Sequence, residues 1–102
     1  MKNRKYKILF TTAAASHVKK ISDWYNRQHA GLGNRFKQHL KKSIERIKEN
    51  PFTPSYRYDK VRFCIPDKFP YAAHYTVDES AKTIVIHAIL GFKENPEKWQ
   101  HE

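Results

Sequence analysis

The sequence predicts an α+β fold: an N-terminal strand, then a two-helix hairpin packed on one face of a small, mainly antiparallel sheet, in the order β-α-α-β-β-β. Three observations carry that prediction. Apolar residues recur at helical spacing from Ala13 to about Glu49. Past the prolines of "ENPFTP" the apolar period changes from about 3.6 residues to about 2. Short polar connections such as "DESAK" separate the alternating runs, which makes the last strands an antiparallel meander.

Each element has its own reason. In "YKILF", Tyr6, Ile8 and Phe10 share one face of a short strand. Thr11 or Thr12 can cap the helix that follows, since a hydroxyl accepts from the orphan amides of a first turn. From Ala13 to about His29 the stripe is Ala14, Val18, Ile21 and Tyr25, widened by Trp24. "AGLG" breaks that helix, with Gly31 and Gly33 permitting a tight reversal. A second helix runs to about Glu49 with Leu32, Phe36, Leu40, Ile44 and Ile47 on one side. Its other side carries Arg35, Lys37, Lys41, Lys42, Arg46 and Lys48, and Pro51 and Pro54 stop it. "YRYDKVRFCI" reads as one strand, with Val61, Phe63 and Ile65 on one face and Lys60, Arg62 and Cys64 on the other. In "FPYAAHYTV", Phe69, Tyr71, Ala73, Tyr75 and Val77 oppose Ala72, His74 and Thr76. In "TIVIHAIL", Ile84, Ile86, Ala88 and Leu90 are expected inward, with Val85, His87 and Ile89 opposite. The helix pair covers one face of this sheet, and the face left open is expected to carry Arg62, His74 and His87 together.

A chain of 102 residues without a repeat or linker is read as one domain with a modest core, spanning 1–102. The lone Cys64 cannot form an internal disulfide, as expected of a cytoplasmic protein. No apolar run approaches the roughly 18 residues of a membrane span. The start, "MKNRKYKILFTTAAAS", mimics a signal peptide. Thr11 and Thr12 interrupt it, however, and Ile8 and Phe10 are needed as core, so a first strand is expected instead. The formal net charge is +10, and residues 1–50 hold 13 of the 20 Lys/Arg but only 3 of the 10 Asp/Glu. One electropositive surface is expected, fit for nucleic acid or an acidic protein.

In order and spacing, "DWYNRQHAGLGNRFKQHL", "IKENP", "VRF", "KFPYAAHYTVD" and "NPEKW" resemble the RelE/ParE toxin superfamily, and within it the ParE-like branch. The resemblance covers nearly the whole chain. It implies the toxin of a bacterial type II toxin–antitoxin pair: small, basic, cytosolic and silenced by an acidic antitoxin that folds on binding. A homodimer or a toxin–antitoxin heterotetramer would be in keeping. Superfamily members divide into two activities. RelE-like toxins cut messenger RNA on the ribosome without a metal, the ribose 2′-OH attacking the adjacent phosphate with help from a base, an acid and cations. ParE-like toxins bind DNA gyrase and break no bond themselves. The readings left open are therefore a gyrase- or protein-binding toxin, a ribosome-dependent endoribonuclease, and an inactive toxin kept as an antitoxin-binding module.

Candidate site residues follow from that division. Arg62 matches the strand arginine of the superfamily's "VR", and its rigid fork suits a phosphate. Lys60 lies two residues away as a second cation. His74 and His87, on neighbouring strands, form a possible acid/base pair near pH 7. Related sequences carry His and Arg before the final Pro-x-x-Trp, in the style "H-T-S-R-x-P-x-x-W". Here Gly91 and Glu94 stand in those positions, with Lys93 one place early, and an anion near a scissile phosphate counts against ribonuclease activity. "NPEKW" is read as a capped turn that pins Trp99 to the body. The basic face of the second helix, Arg35, Lys42 and Arg46, is the candidate partner- or target-binding surface. Two histidines without a carboxylate or thiolate motif fall short of a zinc ligand set, so no metal and no cofactor are expected.

Overall fold

The computed structural model describes residues 6–91. The elements are β1 (Lys7–Phe10), α1 (Thr12–Gln28), α2 (Leu32–Glu49), β2 (Tyr56–Tyr58), β3 (Val61–Cys64), β4 (Tyr71–Asp78) and β5 (Thr83–Gly91). They form two helices on a five-stranded mixed sheet of order β1-β5-β4-β3-β2, in which β1 runs parallel to β5 and the other pairs are antiparallel. The expected α+β architecture is therefore the observed one.

Thr11 caps α1: its hydroxyl accepts from the Ala14 amide at 3.1 Å and donates to the His87 carbonyl at 3.1 Å, which ties the helix start to β5. The reversal between the helices uses its two glycines for different reasons. Gly31 is in the left-handed region at φ 87°, with open space where a side chain would go. Gly33 is a close approach, since a Cβ there would lie 2.2 Å from the Ser22 carbonyl oxygen of α1. Its amide donates to Asn26 Oδ1 at 2.8 Å, so α2 starts locked onto α1.

The core lies between the helices and one sheet face. Ala14 and Ile21 of α1 and Phe36, Leu40, Ile44 and Ile47 of α2 meet Cys64, Ala73, Tyr75, Ile84, Ile86 and Ile89 of the sheet. Phe36 is fully buried against Tyr25, Phe69 and Tyr71, worth about 1.5–3 kcal/mol by transfer alone. Three buried polar side chains of this core are hydrogen-bonded. The Tyr75 hydroxyl donates to the Pro51 carbonyl at 2.8 Å, and the Cys64 thiol donates to Ser43 Oγ at 3.2 Å, whose own hydroxyl donates to the Leu40 carbonyl at 2.9 Å.

Three expectations about the elements are corrected. "YRYDKVRFCI" is two strands, because the chain turns back at Asp59 and Lys60, with Asp59 at φ 47°, a conformation aspartate tolerates. The last strand does not keep one alternation. His74 pairs with Ala88 but Tyr75 pairs with Ile86, so His87 is an extra residue, a bulge. Beyond it the faces exchange: Ile89 joins Ile84 and Ile86 in the core, whereas Ala88 and Leu90 turn to the second face. Trp24, expected to widen the α1 stripe, is 47% exposed.

Candidate functional site

The second face of the sheet carries an imidazole cluster built on the bulge. His74 is buried at 3% exposure, stacked against Phe63 with ring centroids 4.1 Å apart. Its Nδ1 shares a 2.9 Å hydrogen bond with the Tyr58 hydroxyl. Burial, and after it the neighbouring His17 and His87, lowers its pKa to about 4, so this imidazole is neutral at pH 7. His87 Nε2 and Thr76 Oγ1 are 2.8 Å apart, and burial lowers the His87 pKa as well. The bulge also turns the Ile89 amide toward α1, where His17 Nδ1 accepts it at 3.1 Å. His17 and Tyr58 were not singled out in the sequence. The signal for His17 was there: it falls between Ala14 and Ile21 at three- and four-residue spacing, on the buried stripe of α1.

Arg62 does not join this cluster, contrary to the sequence-based expectation. It pairs across β3–β4 with Tyr75, a core residue, and directly opposed residues share a face. Its guanidinium donates to the Phe52 and Pro54 carbonyls and packs between the rings of Phe52, at 5.2 Å, and Tyr56, at 4.2 Å. Arg62 thus fastens the α2–β2 connection to the helix side of the sheet, while His74 and His87 lie on the opposite side. The reason is parity: in β3 it is Phe63 that faces His74, and Arg62 and Cys64 face inward. Phe63, the ring against which His74 stacks, also carries a cation: the Arg57 guanidinium lies 5.0 Å from its centroid.

The remaining candidates fall into two places. Arg35, Lys42 and Arg46 are exposed and, at spacings of seven and four, form one stripe along α2. Lys60 is exposed in the β2–β3 turn, apart from that stripe in the fold. Lys93, Glu94 and the "NPEKW" anchor lie outside the described residues. Gly91 ends β5, paired with Tyr71. No group of three or more His, Cys, Asp or Glu side chains is placed to hold a metal ion among the described residues. No helix among them is long and apolar enough to cross a membrane.

A family profile described as "ParE toxin of type II toxin-antitoxin system, parDE" matches residues 8–96, which is most of the chain. The chain belongs to the ParE toxin family. Solved structures with the same fold include a chain of the chromosomal ParDE toxin–antitoxin system of P. aeruginosa, at a TM-score of 0.73 and 18% identity, with 84% of this chain and 95% of that one covered. A chain of the intact E. coli RelBE toxin–antitoxin complex matches at 0.69 and 16% identity, covering 88% and 100%. The isolated E. coli RelE toxin matches at 0.67 and 15% identity, covering 95% of each. No curated protein matches the sequence. At these identities the structures establish the fold, and the match over residues 8–96 establishes the family.

Proposed function

We propose that this ParE-family toxin blocks bacterial growth by binding a protein target, DNA gyrase being the first candidate, and that it does so in the cytoplasm, without breaking a bond, until an acidic antitoxin neutralises it. The observation that carries this reading is the separation of the chemical groups. An RNA-cutting site needs a phosphate-binding cation next to a base and an acid. Among the described residues Arg62 is committed to carbonyl oxygens on the helix side; on the other side His74 is buried and neutral, and His87 is half-buried with its pKa lowered by burial. An imidazole with a pKa near 4 is a weak base at pH 7.

The exposed stripe of Arg35, Lys42 and Arg46 is a surface that can meet a partner without any chemistry. Its cations, in a chain of net charge +10, also fit an acidic antitoxin. The P. aeruginosa and E. coli neighbours are themselves parts of toxin–antitoxin systems, which supports the same assignment here.

The test is a pulse of labelled amino acid minutes after the chain is induced alone in a bacterial host. Continued incorporation with stalled DNA replication and filamentous cells is the expected result. Immediate collapse of incorporation overturns the reading in favour of a ribosomal target.

A further inference from the structure

β1 stops at Phe10, which pairs with Ile86 of β5. Past that point α1 takes over the edge of β5. The Thr11 amide donates to the Ile86 carbonyl at 3.0 Å, and the Thr11 hydroxyl donates to the His87 carbonyl at 3.1 Å. Six residues later, about 9 Å along the helix, His17 Nδ1 accepts the Ile89 amide at 3.1 Å. The bulge at His87 is therefore clamped to α1 by a threonine on one side and a histidine on the other.

The two clamps differ in chemistry. A threonine hydroxyl does not titrate. An imidazole accepts only while Nδ1 is bare, with its proton on Nε2; a second proton turns both ring nitrogens into donors. An N–H would then face the Ile89 N–H. Imidazoles are the side chains that make this change between about pH 5 and 8. His17 is half-buried, so a proton can reach it from solvent.

The charges around His17 matter to that step. His74 of β4 lies within electrostatic reach of both His17 and His87, so a proton on one imidazole opposes a proton on the next. Tyr58 of β2 is bonded to His74, and the Arg57 guanidinium stands over Phe63. Lys20 is one turn along α1, and Lys37 and Lys41 of α2 approach α1 at Val18. Lys7 is at the far end of β1, as Asp78 is of β4. On the helices, Asp23 and Glu45 are paired with Lys19 and Lys48, and Glu49 ends α2.

We propose that His17 is an acid-released latch. Neutral, it holds the bulge of β5 against α1; protonated, it lets go of the Ile89 amide and frees the end of β5 from the helix, while Thr11 keeps the first clamp. The latch is independent of which target the chain binds.

The experiment follows the Ile89 amide by NMR in the intact chain at pH 7 and pH 5, as protection against exchange relative to an unstructured amide at the same pH. Three chains are compared: the parent, His17→Asn, whose side-chain oxygen can accept at the Nδ1 position at either pH, and His17→Leu, which has no acceptor. At pH 7 the parent is expected to protect Ile89 about tenfold more than His17→Leu does, and at pH 5 no more than about twofold. His17→Asn should keep the tenfold margin at both. The acid response of His74 is common to the three chains and cancels in these ratios. Circular dichroism should stay the same throughout. The margin should close at the pH where the ring resonances of His17 shift. Equal protection in parent and His17→Leu at pH 7 overturns the proposal, because the bond then holds nothing. A margin that survives at pH 5, or one that closes away from the His17 titration, overturns it as well. If His17→Asn fails to protect at pH 7, the parent-to-leucine ratio alone decides.

Discussion

On its helix side the sheet presents Cys64, Ala73, Tyr75, Ile84, Ile86 and Ile89 to two helices; on its other side it presents Phe63, His74, Thr76 and His87. The first set is held by apolar packing that does not depend on pH. The second holds His74 and His87, whose burial disfavours the protonated ring. There the Tyr58 hydroxyl meets His74 Nδ1 and the Thr76 hydroxyl meets His87 Nε2. One sheet thus has a face that supplies stability and a face whose order is conditional. Arg62, placed with the first set by strand parity, serves the stable face.

The largest effect is expected where the helix side is emptied. Phe36 touches Tyr25, Phe69 and Tyr71 and has no exposed surface, so Phe36→Ala removes the centre of that aromatic cluster. A loss of about 3–5 kcal/mol is expected in urea unfolding. A loss under 1 kcal/mol would mean that the aromatic cluster contributes little to the core.

Next comes the polar face, tested with acid. A histidine whose folded pKa lies below its unfolded value binds fewer protons folded than unfolded between the two. With His74 lowered from 6.5 to about 4, stability is present in full above pH 6.5, falls as pH drops through that window, and levels off near pH 4. The full drop is on the order of 3 kcal/mol, from about 1.4 kcal/mol per pH unit. His87, also lowered by burial, adds in the same direction. Chemical denaturation at pH 7, 6, 5 and 4 measures the slope. His74→Phe keeps a ring against Phe63 and should flatten most of it, although it loses the Tyr58 bond; an unchanged slope would place the acid sensitivity elsewhere.

The helix turn gives a smaller contrast. Gly33→Ala drives a Cβ to 2.2 Å from a backbone oxygen that cannot swing aside, and overpacking of that kind costs about 1–3 kcal/mol. Gly31→Ala meets open space and is penalised only by its positive φ, about 1 kcal/mol. Thermal midpoints should rank them in that order. The reverse ranking would mean that α1 and α2 can slide apart cheaply.

These positions also show what the sequence could and could not reveal. The fold class, the two helices and a threonine cap at Thr11 or Thr12 were legible because apolar period and cap chemistry are local. The role of the two glycines as a reversal was legible, but their different reasons were not, since one is a dihedral and the other a distance. The bulge at His87 was hidden, because Ala88, Ile89 and Leu90 are all apolar and either parity satisfies a period-2 reading. The side taken by Arg62 was hidden for a related reason: Val61, Phe63 and Ile65 look more like a core set than Arg62 with Cys64. Only the pairing of Arg62 with Tyr75 resolves it. The basic positions of α2, Arg35, Lys42 and Arg46 among them, were visible because helical spacing alone sets them opposite the apolar stripe.

The smallest effect on stability is expected from the stripe on α2, and that is its value as a test. Arg35, Lys42 and Arg46 are exposed, with no ion pair among the described residues, so Arg35→Glu, Lys42→Glu and Arg46→Glu should each leave the unfolding midpoint within about 0.5 kcal/mol of the parent. If the chain acts by surface contact, the triple replacement should nonetheless relieve growth inhibition in a host expressing it, because a like charge in an interface costs several kcal/mol. Arg62→Ala should behave in the opposite way. It should lower stability by about 1 kcal/mol through loss of the loop bonds to Phe52 and Pro54, with inhibition persisting at temperatures where the variant stays folded. The crossing of the two outcomes, function lost without stability in one and stability lost without function in the other, separates a binding surface from a structural arginine. If Arg62→Ala alone abolished inhibition while the stripe variant remained toxic, the helix surface would be excluded as the working face.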